Sequence, residues 1–434
     1  MQMLRPGYKP PSEIDLGNRL LSAVHEHEIE KITGELSEQT VCMSVDGWSN
    51  IHNQPLLCAC VTTMEGNTYL VDTIDTSLTS HTSQNLAAAV TQTIINVEKK
   101  FKCRVRSFVT DNASNMAKMR DELNAKFDII SYGCSAHLLN LLAKDLQDSM
   151  PNVTEHVLQV ITYFRNHQII RAKYNELKGT GLIRPTEVRW NSMCDSLESY
   201  IKNWSTFMQV CEDNRDDIDT NIRSKVMNMA IKRNAEDMLL MLKPISVALD
   251  KMQKDNCSLS NVVNIWKNLK ETLKDSNNNC CKNFFTKRYE QALTPAHFLA
   301  YLLDPNSEVQ CLTLNEKDQA VNFVKEKYGE TSLLSILLKF IVCSPPFNGT
   351  LFVKESLESL NILEWWKSIA LLKNCVGQKE FDAIQLLCTA KGTTAEIERM
   401  FSTFGLVHTK LRNQLGVEKA AKLVLMFKSL NKTN

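Results

Sequence analysis

The chain has 434 residues, 43% hydrophobic and 23% charged, with a formal net charge of +1. That length suggests roughly two to three domains, and an ordinary globular balance of this size builds its core without disulfide or metal staples. Near-neutrality excludes a strongly basic nucleic-acid binder and leaves only a local basic face for such a partner; no run of about 18 apolar residues is present, so no membrane span is expected.

The opening Met1-Gln2-Met3-Leu4-Arg5-Pro6 lacks the apolar stretch of a secretory signal. The 14 cysteines are scattered and follow no metal-site or disulfide spacing, so they are expected to be reduced thiols of a cytosolic or nuclear protein.

In chain order, residues 1 to 40 read as helical after Pro10 and Pro11. Ser12 is placed to cap, and Leu16, Leu20, Leu21 and Val24 recur at helical spacing. Three short apolar runs follow, Val41–Asp46, Leu56–Thr63 and Tyr69–Ile74, joined by polar links, which is the pattern of an antiparallel meander. A helix is expected over Ser83–Lys100, a strand over Val105–Thr110, a helix over Asn115–Lys126 and a strand over Ile129–Tyr132. A third helix should follow Gly133. The order β-β-β-α-β-α-β-α argues for a mixed sheet with helices packed on it, an α/β fold.

From about Pro151 to residue 375 the strand signal is gone. Helical spacing dominates, as in Met238, Leu239, Leu242 and Ile245, with breaks at Gly179–Gly181, Asp275–Asn279 and Asp304-Pro305. The expected organisation is a helical segment over 1–40, the first part of a core over 41–150, a helical insertion over 151–375, and a C-terminal region over 376–434 that completes the core. The last region carries an apolar stripe of Phe401, Phe404, Leu411, Leu415, Leu423, Val424 and Phe427. Such a stripe fits either a domain core or a subunit interface.

Asp46 and Asp111 fall at the ends of the first and fourth strands. If those strands are neighbours, the two carboxylates converge, and paired carboxylates there suit hard divalent cations with open positions for phosphate oxygens. A third carboxylate must come from elsewhere, and Glu398 is the choice. Plainer roles compete. Asp46-Gly47 is a common turn pair, Asp111 is placed to cap a helix, and Glu398 suits a solvated helical face.

The motifs resemble those of hAT-superfamily DNA transposases. Those enzymes carry an Asp at the end of the first core strand, an Asp at the end of the fourth, and a Glu in a C-terminal motif of the form Ser-Ala-x-x-Glu-Arg-x-Phe-Ser. This chain reads Ser44-Val45-Asp46-Gly47-Trp48, then Val109-Thr110-Asp111-Asn112-Ala113, then Thr394-Ala395-Glu396-Ile397-Glu398-Arg399-Met400-Phe401-Ser402. Between them, Cys134-Ser135-Ala136-His137 is similar to the family's Cys-x-x-His motif. Thr186-Glu187-Val188-Arg189-Trp190 is similar to its Arg-Trp motif, and Leu303-Asp304-Pro305 and Trp365-Trp366 to its later landmarks.

The resemblance implies an RNase H-like core interrupted by a helical insertion. It implies Asp46, Asp111 and Glu398 as ligands of Mg²⁺ (or Mn²⁺) for cleavage and transfer at DNA phosphodiesters. It places His137 and Arg189 against DNA, with Trp190 stacking on an extruded base. It also implies a nuclear protein that pairs with itself through Phe401, Leu411, Leu415, Leu423 and Phe427. Local basic groups offer modest support for DNA: Arg399, Lys410, Arg412, Lys419, Lys422, Lys428 and Lys432 near the end, and Lys282, Lys287 and Arg288 earlier. A solvated face explains them equally well.

Two departures stand out. The BED zinc finger of complete transposases is not seen: its Cys-x-x-Cys is missing, and His25 and His27 have no cysteine partners upstream. Cys134 and His137 alone are half a zinc site. In the Glu398 motif threonine replaces serine. Two readings follow. One is a domesticated or remnant protein that binds nucleic acid and dimerises, favoured by the missing finger and neutral charge. The other is an active Mg²⁺-dependent transposase, favoured by the intact acids.

Overall fold

The computed structural model describes residues 10–185, 191–254, 257–274, 279–329, 332–373, 375–409 and 415–431. Ser12 caps the first helix by accepting from the Asp15 N–H at 3.1 Å. The chain runs from α1 (Glu13–Asp15) through a π-turn, Leu16–Leu20, into α2 (Leu21–Leu36). The expected apolar face is only partly used: Leu21 is buried, while Leu16 and Val24 are exposed. The π-turn holds an extra residue per turn and so rotates the stripe, and the buried face of α2 becomes Leu21, Glu28, Ile32 and Leu36.

Five strands follow the expected order, with α3 (Ser83–Phe101), α4 (Ser114–Lys126) and α5 (Ser135–Asp148) after β3, β4 and β5. They are β1 (Thr40–Ser49), β2 (Pro55–Thr62), β3 (Thr68–Asp75), β4 (Arg104–Thr110) and β5 (Ile130–Gly133). The sheet order is β3-β2-β1-β4-β5. β2 is antiparallel to β1 and β3, as short links allow, whereas β4 is parallel to β1 and β5 to β4. Parallel pairing requires the chain to cross back over the sheet, and α3 and α4 make those crossovers.

β1 is central and buried on both faces from Val41 to Val45. Val41, Met43 and Val45 join a core with residues of α2, α3 and α4, including Ile32, Leu36, Val90, Ile94 and Met119. Successive side chains alternate across a strand, so Cys42, Ser44, Asp46 and Trp48 share the opposite face. That face is covered by two C-terminal helices, described below.

The chain divides into two compact units. One holds residues 1–134, 255–261 and 295–434; the other holds 135–254 and 262–294. This division departs from the expected boundaries of 151 and 375. The helical unit already includes α5, whose buried face packs against two later helices of the same unit, Met229–Met252 and Asn279–Ala292. Its helices are α6 (Pro151–Asn166), α7 (Gln168–Glu176), α8 (Ser192–Lys202), α9 (Trp204–Asp213), α10 (Thr220–Val226), α11 (Met229–Met252), most of α12 (Leu259–Lys274), and α13 (Asn279–Ala292). An aromatic cluster of Phe164, Tyr174, Tyr200 and Phe207 lies at its centre.

From Pro295 the helices belong to the sheet unit: α14 (Pro295–Leu302), α15 (Leu314–Tyr328), α16 (Ser332–Ile341), α17 (Lys354–Ser359), α18 (Ile362–Lys373), α19 (Gln378–Thr389), α20 (Ala395–Val407) and α21 (Val417–Asn431). The physical reason is α14, in which every residue from Ala296 to Leu302 is buried and His297 meets the ring of Tyr132 edge-on at 5.1 Å. The landmarks Leu303-Asp304 and Trp366 serve this packing. The Trp366 indole donates to the Leu303 carbonyl at 2.8 Å, and the Asp304 carboxylate accepts from the Ser260 hydroxyl at 2.6 Å. Among the described residues, no helix is long and apolar enough to cross a membrane.

Candidate functional site

Asp46 does not end its strand as the sequence suggested, because β1 continues to Ser49. The reason lies in the two neighbours. Pairing with β4 stops at Val45↔Thr110, while pairing with β2 runs on to Ser49↔Pro55. Asp46 is therefore the first residue past the parallel ladder, where the flank of β1 facing β4 opens. Asp111 follows Thr110 directly, so the two carboxylates emerge at the same edge. Gly47 N–H donates to Asp46 Oδ1 at 2.8 Å and Ala113 N–H to Asp111 Oδ1 at 3.1 Å, which fixes each carboxyl locally while leaving lone pairs unused.

Glu398 arrives from 287 residues further along the chain, in the first turn of α20. The loop before that helix is tied down at three points. Ser258 and Lys391 form a β-bridge, Gly392 N–H donates to the Cys257 carbonyl at 3.0 Å, and Thr394 N–H donates to the Cys134 thiol at 3.3 Å. Past the loop, α20 lays Ile397, Met400 and Phe404 onto Cys58, Cys60 and Leu70 of the sheet. Trp48 stacks on Phe401 with centroids 5.7 Å apart and tilts against Phe404 at 5.1 Å. Asp46 and Trp48 share one face of β1, so the helix that Trp48 holds presents Glu398 on Asp46's side.

Asp46 senses the charge of Asp111, and Glu398 that of Asp46. Burial pushes the Asp46 carboxyl up to about 7, and the negative charge of Asp111 adds to that rise. Burial likewise pushes Glu398 up to about 8, reinforced by the charge of Asp46 and opposed by Arg399. Desolvation is the larger cause of both rises, and repulsion from a neighbouring carboxylate adds to each. Asp46 thus stands between the other two. As donors, three carboxylates suit a hard divalent cation, whose charge would reverse both rises. Among the described residues, however, no three His, Cys, Asp or Glu side chains are grouped closely enough to hold a metal ion as they stand.

Arg120 is a site residue that the sequence reading passed over. From α4 its Nη1 donates to the Asp111 carbonyl at 2.7 Å and to the Thr110 hydroxyl at 2.5 Å. Burial lowers its pKa, and the charge of Asp111 works against that. An arginine nine residues after an acid on a helix carries no distinctive signal; only the β4–α4 turn brings it back. Gly133 and Asn112 form a second brace. The Asn112 amide donates to the Cys134 carbonyl at 2.7 Å, and a Cβ on Gly133 would lie 1.8 Å from Asn112 Oδ1.

The other expected residues are placed as follows. His137 sits half-buried in the first turn of α5, in the helical unit. Arg189, Trp190 and Leu411 lie outside the described residues. Phe401, Leu415 and Leu423 pack within the chain against the α20–α21 cluster, whereas Phe427 is exposed. Of the basic groups, Arg399 pairs with Glu396, Lys422 with Glu418 and Arg288 with Asp145.

Residues 11–166 match a family described as a domain of unknown function (DUF659). The match covers little more than a third of the chain. It runs from the first helix to the end of α6, and so includes Asp46, Asp111 and His137 but not Glu398. No curated protein matches the chain.

Proposed function

We propose that the protein is a transposase-derived protein of the hAT type, with an RNase H-like core that acts on DNA at the edge formed by Asp46, Asp111 and Glu398. Its partners under this reading are DNA and a second copy of itself, and its compartment is the nucleus. One observation supports the proposal: carboxylates from three distant segments share one sheet edge, where burial raises the pKa of Asp46 and of Glu398 and a neighbouring acid of the set adds to each rise. The strand order β3-β2-β1-β4-β5, with β2 alone antiparallel to the rest, agrees with that core.

Asp46, Asp111 and Glu398 would hold Mg²⁺ or Mn²⁺, which when bound activates the attacking oxygen and stabilises the leaving oxygen of a phosphodiester. The protein's own contribution is positional. Arg120 fixes the backbone of Asp111, and Trp48 and the Cys134–Thr394 contact set the place of Glu398. Near neutral pH and without a cation, Asp46 and Glu398 retain much of their protons, so metal loading releases protons.

A second reading is supported by the spacing of the acids, which are not gathered tightly enough to hold a metal as they stand. In it the protein binds DNA and self-associates but cuts nothing. Self-association would then draw on exposed groups such as Phe427 and Leu430 rather than on the packed Phe401. The test is cleavage of labelled DNA by purified protein with Mg²⁺ or Mn²⁺, beside Asp111→Ala. Metal-dependent nicking that the variant loses supports the enzyme. Retained DNA binding with no nicking by either protein supports the binding reading, and failure of both binding and nicking overturns the proposal.

A further inference from the structure

At the opposite end of β1 and β4 from the carboxylates, a cleft of about 930 Å³ opens within the sheet unit. Thr40 and Arg104, which begin those strands, line it. At about 3.3 Å per residue it lies roughly 20 Å from Asp46 and Asp111. Its other walls come from the end of α3, the end of α15, and the first turns of α19.

The lining is strongly charged, and its charges are not equally engaged. Asp128 is held by Arg106 at 2.6 Å and by Lys327 at 2.7 Å. Glu380 accepts from the Ser332 hydroxyl, and Asp382 accepts from the Gln378 amide at 2.7 Å. Among the described residues, Lys102, Arg104 and Lys379 have no carboxylate within ion-pair distance, although all three line the cleft. The Tyr328 hydroxyl is buried in the same wall and has no hydrogen-bond partner among the described residues. Burial and the charge of Asp128 push its pKa up, so it stays a neutral donor. A buried hydroxyl left unbonded is destabilising, and an acceptor held in the cleft would remove that cost. Glu38 and Lys102, whose backbones bond to each other, both hold left-handed conformations, at φ 64° and 53°. Non-glycine residues adopt these at a cost.

We propose that this cleft is an anion site that takes the polyphosphate group of a small molecule of nucleotide size. Three cations from three elements that form no ion pair among the described residues, plus a neutral donor, match the oxygens of a di- or triphosphate. The volume falls in the range of small-ligand sites. A continuous nucleic-acid backbone fits less well, because Glu38, Glu380 and Asp382 also line the cleft and would repel an extended run of phosphates.

The test is calorimetric titration of the full chain in EDTA, which removes cation bridging at the carboxylate edge. The probes are pyrophosphate, ATP and a 5′-phosphorylated single-stranded oligonucleotide. Pyrophosphate and ATP should bind below about 1 mM. Arg104→Ala should weaken both by about tenfold or more, since it removes a charge-assisted bond. Tyr328→Phe should weaken both several-fold while leaving the melting temperature unchanged or raised, because its hydroxyl has no partner to lose. Asp111→Asn should bind like the parent, which separates this site from the proposed nuclease edge. Absence of pyrophosphate and ATP binding, unchanged affinity in Arg104→Ala, or binding of the oligonucleotide alone would each overturn the assignment.

Discussion

Replacing Asp46 by Asn should stabilise the metal-free protein, and only above mildly acidic pH. The carboxyl is raised from 3.8 to about 7 in the fold. An acid raised in this way costs the fold nothing below its unfolded pKa, and the cost develops as pH rises from there through the folded value. Each pH unit of that interval is worth about 1.4 kcal/mol, so complete desolvation would imply about 4 kcal/mol. Asp46 is only partly buried, and solvent screening reduces the working figure to about 2 kcal/mol. Asn retains the oxygen that accepts from Gly47 N–H and removes the charge that helps to raise Glu398. In EDTA, melts of parent and Asp46→Asn should therefore nearly coincide at pH 4. They should separate through pH 5–7 and differ by about 2 °C at pH 8. Saturating Mg²⁺ should stabilise the parent at pH 8 and leave the variant unmoved. Parallel curves at all pH values, or a variant less stable at pH 8, would refute the claim that burial, helped by the charge of Asp111, raises this carboxyl.

Three further outcomes test the supports of the site. Arg120→Met should destabilise the protein by about 2 kcal/mol by removing the charge-assisted bonds to the Thr110 hydroxyl and the Asp111 carbonyl, which then keeps only the Thr110 hydroxyl as donor. Denaturant melts measure the stability loss, and a Mg²⁺ titration should show weaker binding. Gly133→Ala should cost about 1–3 kcal/mol, because the new methyl collides with Asn112 Oδ1 and must displace it from the Cys134 carbonyl; chemical denaturation reads this, and an unchanged midpoint would deny the close approach. Trp48→Ala should cost about 3 kcal/mol through lost packing on Phe401 and Phe404. It should also lower the pKa of Glu398, measured by NMR titration, as α20 loosens and the carboxyl regains water.

Much of the architecture is written in local pattern. Three apolar runs with short polar links cannot be joined in parallel, so the meander and its position follow from the sequence alone. The helix between the third and fourth runs forces the switch to parallel pairing. The strands were located to within a residue or two, except that β1 extends past Asp46, since strand length there depends on a partner, β2, that persists after β4 has turned away. Ser12 is a cap by its local chemistry. The face of α2 was misjudged because a π-turn, which depends on neighbours rather than propensity, rotates the stripe.

Asp46 and Asp111 are singled out by their strand positions and Glu398 by its motif. What the sequence cannot carry is the coupling among them. That coupling depends on where β4 stops pairing with β1, and on a helix held by Trp48 and by a loop fastened to Cys134, contacts between residues hundreds of positions apart. Arg120 and the cleft at Arg104 escaped for the same reason. A lone cation has no periodicity, and whether its charge is committed is decided only when the tertiary structure brings a carboxylate to it or leaves it unpaired.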